Sequence, residues 1–268
     1  MYKELINSAT RSYPFLTEHK NVRYIPHFHE ETEIVYIIDG EVELTLGSLR
    51  YTVKKDDICI IPPEVIHNLY TYTSSKTYVI KLYPIVDLSG INLNCNVITK
   101  ENSLNYRLKE HIYNIMHEEK TKERAYELAV NAYAEQLSVL LLREFNNFEN
   151  VPGINLKLNA EKNFLKDVIV FFEEKHNTDF KLDDISNRFN YSKSYFCRYF
   201  KKITGKSLWE YYTMYRIEKS VELIKHSPNE SFTVIAHKSG FKNIRSFNTA
   251  FKLHTRLTPS EFRKSECT

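Results

Sequence analysis

Two spacings of apolar residues divide this chain. From residue 20 to about 85 the apolar positions fall in short runs of β-branched and aromatic residues. EIVYIIDGEVELTLGSLRYTV is the clearest, broken by Asp39-Gly40 and Gly47-Ser48. Runs of this kind between close turn signals predict short strands with tight connections. DDICIIPPEVIH adds an apolar strand that Pro62-Pro63 stops, because proline cannot donate to a sheet ladder. Many short strands with close turns predict a small antiparallel barrel or sandwich.

Near Asn102 the spacing changes to that of helices. No glycine occurs between Gly90 and Gly153. Leu104, Leu108, Ile112 and Ile115 predict one amphipathic helix, and Leu128, Ala132, Leu137, Leu140, Leu141 and Phe145 predict a second. Pro152-Gly153, inside NNFENVPGINLKLN, marks the linker, and the chain reads as helical from Asn159 to its end. The expected organisation is α+β with two domains: strands over 1–100, a helical segment over 101–150, a linker over 151–160 and an all-α domain over 161–268.

Inside the last of these, one pattern occurs twice. Ile185, Tyr191, Phe196, Phe200, Lys201, Thr204, Glu210 and Tyr211 match Ile235, Phe241, Phe247, Phe251, Lys252, Thr255, Glu261 and Phe262. The offset is 50 up to the aromatic at Tyr191/Phe241 and 51 after it, so one residue is inserted in a turn. Cap residues delimit the helices. Ser192 and Asn243 each precede a predicted helix as N-caps. Ser207 with Glu210 and Thr258 with Glu261 form capping boxes, the second with Pro259 at the first helical position. Phe196, Phe200 and Ile203 face a core at i, i+4, i+7, which leaves Ser194, Cys197, Arg198 and Lys201 on an adjacent polar face. In the second copy Phe247, Ala250 and Phe251 point inward, and Arg245, Asn248, Thr249 and Lys252 share the outer face.

Charge fits a nucleic-acid partner for this half. Residues 160–268 hold 20 Lys+Arg against 13 Asp+Glu, whereas the remainder holds 17 against 21. Arg suits the O6/N7 edge of guanine, Asn the N6/N7 edge of adenine, and Lys the phosphates. The four cysteines, Cys59, Cys95, Cys197 and Cys267, form no CxxC pair, so reduced thiols in a cytoplasm are expected. No apolar run approaches the roughly 18 residues of a membrane span, and the N-terminus lacks the pattern of a signal peptide.

Residues 165–264 resemble the DNA-binding domain of the AraC/XylS family of bacterial transcription regulators. YSKSYFCRYFKKITGKS, IAHKSGF and FNTAFKLHTRLTPSEFRK carry the resemblance to that family's two helix-turn-helix units and closing signature. It implies base contacts from Ser194, Cys197, Arg198, Arg245, Asn248 and Thr249, with Thr249 standing where a larger basic residue is frequent. It also implies promoter DNA, a small-molecule effector (a sugar or other carbon source), a homodimer and bacterial RNA polymerase as partners, with activation of transcription as the expectation and repression as the alternative. The helical segment 101–150 lies where the family pairs two subunits, and its apolar series could equally pack on its own barrel.

The N-terminal half resembles the cupin barrel, the sensing domain of many such regulators. HFHEETE, Gly40, then Pro62, Glu64 and His67 follow that barrel's two motifs, with Glu64 where cupin enzymes usually have glycine. His27 and His29 share one face of a strand, and Glu33 with His67 completes a set suited to a first-row divalent metal. The same four residues equally suit the lining of an organic-ligand pocket or a supporting role in the barrel. No cofactor beyond that metal is expected, and nothing supplies a separate nucleophile or a phosphate-binding glycine loop. Three readings remain: a ligand-responsive regulator, a metal-dependent cupin enzyme with a DNA-binding tail, and a ligand-independent regulator whose barrel serves assembly.

Overall fold

The computed structural model describes residues 14–46, 49–82, 97–145, 154–175 and 180–266. Two compact units divide between Ala160 and Glu161.

The first unit is an antiparallel β structure with two helices on one face. Its strands are β1 (Phe15–Lys20), β2 (Thr32–Leu46), β3 (Leu49–Lys54), β4 (Ile58–Ile61), β5 (His67–Tyr70), β6 (Ser75–Leu82) and β7 (Val97–Ile98). One sheet runs β1-β6-β2-β4-β7, and β2 also pairs with β3 and β5. Residues Thr32–Tyr36 of β2 lie against β6, with Glu33–Tyr36 also against β4; Glu41–Leu46 lie against β3. β2 therefore belongs to both sheets. The expected turn at Asp39-Gly40 is instead a bulge: the register shifts between Ile37 and Asp39, Gly40 has φ +76°, and the strand continues. Glycine's freedom at positive φ bends the strand without reversing it. The turn expected at Gly47-Ser48 lies outside the described residues, and Leu46 pairs with Leu49 on either side of it. β4 ends at Ile61, next to Pro62 as expected.

Val35, Ile37, Cys59, Ile61 and Val79 of the first sheet meet Val42, Leu44, Leu46, Val53 and Leu69 of the second in an aliphatic interior. The opposite face of the first sheet, with Ile34, Tyr36, Ile58, Ile60, Tyr78 and Ile80, is covered by α1 (Ser103–Thr121) and α2 (Tyr126–Glu144). Alternation along the strands sends successive residues to these two cores. α1 buries Leu104, Leu108, Ile112 and Ile115 as its period predicts. α2 departs from expectation: Val130, Ala134, Leu137, Leu140 and Leu141 are buried, whereas Leu128 is 71% exposed and Ala132 is also exposed. α2 is apolar on two sides, so its period alone does not say which side faces the sheet.

α3 (Ile154–Lys175) already begins at Ile154, so the stretch expected as linker is helical from that residue on. The second unit continues with α4 (Leu182–Arg188), α5 (Lys193–Thr204), α6 (Leu208–His226), α7 (Phe232–Lys238), α8 (Ile244–Thr255) and α9 (Pro259–Glu266). Phe164 of α3 packs against Phe189, Phe196 and Tyr199, while Phe172 packs against Phe180, Tyr212 and Tyr215. Further along α6, Ile217 and Ile224 join Ile235, Ala236, Phe241, Phe247 and Phe251 in a second core. α6 is thus shared by two helix-turn-helix modules, α4–α5 and α7–α8.

Candidate functional site

The two modules repeat in detail. Ser192 accepts a hydrogen bond from the Tyr195 N–H at the start of α5, and Asn243 accepts one from the Ser246 N–H at the start of α8. The turn before α5 passes through Asn190 at φ 55° and the turn before α8 through Gly240 at φ 85°. Each is the left-handed residue that a tight turn demands, and Asn and Gly tolerate it best. In the first module the aromatic Tyr191 touches the cap Ser192 in sequence; in the second, Lys242 stands between Phe241 and Asn243. Lys242 is the inserted residue that changes the offset. Ser207 and Glu210 then cap α6 reciprocally, and Thr258 and Glu261 make the equivalent exchange at the head of α9. The Glu210 and Glu261 carboxyls lie below their ordinary range, Glu210 through hydrogen bonds from Ser207 and Glu261 through those from Thr258.

Burial of one apolar side sets which face of each helix is left outside. Phe196, Phe200, Phe247 and Phe251 are fully buried. Ser194, Arg198 and Lys201 on α5 are exposed and Cys197 is half-buried; Arg245, Asn248, Thr249 and Lys252 on α8 are all exposed. Neither the Arg198 nor the Arg245 guanidinium has a partner among the described residues, so both remain available to a ligand. The Thr249 hydroxyl donates to the Arg245 carbonyl at 3.0 Å, one turn back along α8. An open groove of about 840 Å³ runs beside α8, lined in part by Asn248, Thr249, Lys252 and Arg256. One residue that sequence reasoning passed over is Arg216 on α6. It donates to the Gly240 carbonyl at 3.0 Å and lies over the Tyr212 and Phe241 rings, fastening the second turn.

In the first unit, the polar groups gather at one place inside the barrel. His27, His29, Glu33 and His67 each offer a ligand atom, and these atoms lie within 4.8 Å of one another. β2 supplies Glu33 and β5 supplies His67, while a bridge between His27 and His67 holds the entering chain against β5. The ring centroids are 4.3 Å apart for His27–His67 and 4.9 Å for His29–His67. All four residues are buried. Burial lowers the His27 imidazole well below its ordinary value and brings His67 down to about 4, so both rings are neutral near pH 7. Burial by itself raises the Glu33 carboxyl, but the hydrogen bond from His29 and the nearby Lys81 ammonium outweigh it and hold Glu33 well below its ordinary range.

Lys81 was not foreseen. It sits opposite Glu33 in the β2–β6 register, faces the same interior and brings its Nζ to 3.5 Å from Glu33 Oε2. Its alternation with Val79 within the strand is the signal that could have found it. Glu64 has φ 62°, the left-handed backbone that the glycine expected there would adopt freely, and its N–H donates to the His29 carbonyl at 2.7 Å. No helix among the described residues is long and apolar enough to cross a membrane.

Comparison with known proteins gives two family matches: a helix-turn-helix domain over residues 185–265 and an AraC-like ligand binding domain over residues 12–86. The TetD protein of transposon Tn10 from Escherichia coli is 33% identical over 102 residues, 38% of this chain and 73% of that protein. The Msm operon regulatory protein of Streptococcus mutans is 24% identical over 250 residues, 89% of this chain and 86% of that protein. The transcriptional activator RhaS of an Enterobacter species is 22% identical over 253 residues, 89% of this chain and 87% of that protein. Among solved structures, ToxT of Vibrio cholerae shares the fold, with a TM-score of 0.52 and 13% identity over 95% of this chain and 98% of that one.

Proposed function

We propose how this chain, which belongs to the AraC/XylS family of transcription regulators, reads its promoter and answers to its effector. It is a DNA-binding regulator with an N-terminal ligand-binding domain, and α5 and α8 are its two reading helices. The observation that carries this assignment is the pair of equivalent exposed faces, each held outward by its own N-cap and buried phenylalanines. Arg198 and Arg245 contact base edges, Asn248 an adenine edge, Ser194, Cys197 and Thr249 the adjoining bases, and Lys201 and Lys252 phosphates. With 19 residues α6 is about 28 Å long, a scale that suits two heads entering the groove about 34 Å, or one turn, apart.

The effector binds in the barrel at His27, His29, Glu33 and His67, a polar cluster beside the aliphatic core between the strands. It regulates by binding two conformations of the regulator with different affinity. Pairing of two copies runs through α2, where Leu128, Ala132, Val139 and Leu142 form an exposed stripe at intervals of four, seven and three residues. The regulator works in the cytoplasm, activates transcription with RNA polymerase in response to a sugar or other carbon source, and catalyses nothing. Its similarity to proteins named as regulators over most of their length, one of them an activator, supports this reading.

The reading helices are tested by selecting an operator from random DNA with the full chain and measuring affinities for its single-base variants. Arg245→Ala is expected to weaken operator binding by roughly 1–3 kcal/mol and to relax the preference at one base pair. An equal loss on every sequence would make Arg245 a phosphate anchor and reject its reading role.

A further inference from the structure

We propose that Arg216 is a positioning residue that sets the spacing of α5 and α8, and with it the separation of the two DNA segments the chain prefers. The inference rests on the reading of α5 and α8 as two heads and concerns what holds one against the other. Arg216 stands in the middle of α6, the helix both modules share. On its N-terminal side Tyr211, Tyr212 and Tyr215 pack against Phe172, and Tyr211 meets Phe200 of α5 edge-on at 5.3 Å. On its C-terminal side Ile217 and Ile224 belong to the second core with Phe241, Phe247 and Phe251.

The Arg216 side chain joins these two cores. Its guanidinium carbon lies 4.4 Å from the centre of the Tyr212 ring and 4.7 Å from that of Phe241. Tyr212 belongs to the first core, 4.7 Å from Phe172 and 5.0 Å from Phe180. Phe241 belongs to the second and lies edge-on to Phe247 of α8 at 5.4 Å. Ring contacts thus lead from the first core through one cation to the reading helix of the second module. The same guanidinium donates from Nη1 to the Gly240 carbonyl at 3.0 Å. Gly240, at φ 85°, is the left-handed residue of the turn that leads into α8.

The chemistry of the side chain gives the reason for an arginine here. An apolar ring fills space without direction, as Phe164 does in the first module against Phe189 and Phe196. A guanidinium is planar, so contact with two rings restrains its plane and an N–H bond restrains its rotation within that plane. These contacts together hold the second turn at one distance and tilt from Tyr212. A lysine ammonium has no plane to align. Arg263 gives the contrast: it lies 3.8 Å from the centre of the Phe232 ring and donates to the Glu230 carbonyl at 2.7 Å. Its chemistry is the same, but it joins α9 to the head of α7 and touches only the second module's side.

The test starts from the operator selected with the full chain, in which the losses in Arg198→Ala and Arg245→Ala locate the two segments read. One base pair is then inserted or removed between them, and affinities are measured. A rigid pair of heads is expected to prefer the selected spacing by about a hundredfold, because a shifted head forfeits its base contacts. Arg216→Lys keeps the charge and is expected to bind the selected spacing about tenfold more weakly and the altered spacings unchanged. Its preference then narrows to about tenfold. Arg216→Gln keeps an N–H donor, loses the cation over the rings and is expected to narrow the preference likewise; it decides the matter where circular dichroism shows the lysine variant not to be native. Arg263→Lys is expected to leave the preference as it is. Equal loss at every spacing, no loss, loss of the fold in both Arg216 variants, or the same narrowing in Arg263→Lys makes Arg216 a structural contact and overturns the inference, while the reading of α5 and α8 stands. A native chain indifferent to spacing overturns it too. If base preference survives in both Arg198→Ala and Arg245→Ala, the reading of the two helices is rejected and the positioning role falls with it.

Discussion

At the scale of single residues, the backbone conformation of a few positions controls what surrounds them. Gly40 is the sharpest case. A Cβ placed there would lie 2.1 Å from the Ser74 carbonyl oxygen, and its φ of +76° is one that side chains rarely adopt. Left-handed backbone alone costs roughly 1–2 kcal/mol for a residue with a Cβ, and the clash with backbone adds to it. Gly40→Ala is therefore expected to destabilise the chain by more than about 2 kcal/mol, measured by urea unfolding. Loss of under half that amount would mean that β2 can bend without a glycine. The sequence marked Asp39-Gly40 as special but misjudged the form, because the pair serves hairpin turns and bulges equally and only the partner strands decide between them. At Glu64 and Arg256 the converse holds, since each sits at positive φ without being glycine. Arg256 occupies, one repeat later, the C-cap place of Gly205.

At the scale of elements, the second unit is a set of helices whose starts are written locally. Ser207 and Glu210 exchange hydrogen bonds at the head of α6, the helix shared by both modules. Ser207→Ala is expected to cost about 0.5–2 kcal/mol of stability. The box also predicts a pH response. The Glu210 carboxyl is held below its ordinary 4.5 by Ser207, so its contribution is complete above pH 4.5 and is lost as the pH falls through the lower folded value. Between pH 5 and pH 3 the native chain should lose stability more steeply than Ser207→Ala, as read from urea midpoints at each pH. Parallel curves would show that the box does not hold Glu210 ionised. These caps were legible because each joins residues three apart in sequence. The inward side of α2 was not, since its leucines and alanines occupy both faces and only the sheet beneath it chooses one.

At the scale of the whole molecule, the α2 stripe carries the proposed pairing of two copies. Leu142→Glu places a charge on a face already exposed in one chain, so folding should be unaffected while association is lost. Sedimentation equilibrium at micromolar concentration is expected to give a dimer for the native chain and a monomer for the variant. A dimer in both would assign pairing to another surface. The two units differ in how much of them could be read from the chain. The duplicated modules, their caps and their outward faces follow from the sequence itself, because helical period and side-chain caps act over three to seven residues. The four residues of the barrel centre were named in advance, but their convergence was not determined by that spacing. His67 reaches His27 and His29 only because β5 pairs with the far half of β2 beyond the Gly40 bulge. Lys81 reaches Glu33 only through the register of β6 on β2. Contacts between residues forty or fifty positions apart are set by which strands pair and in what register. That choice is made by the packed interior of the whole barrel, and tertiary structure alone decided it.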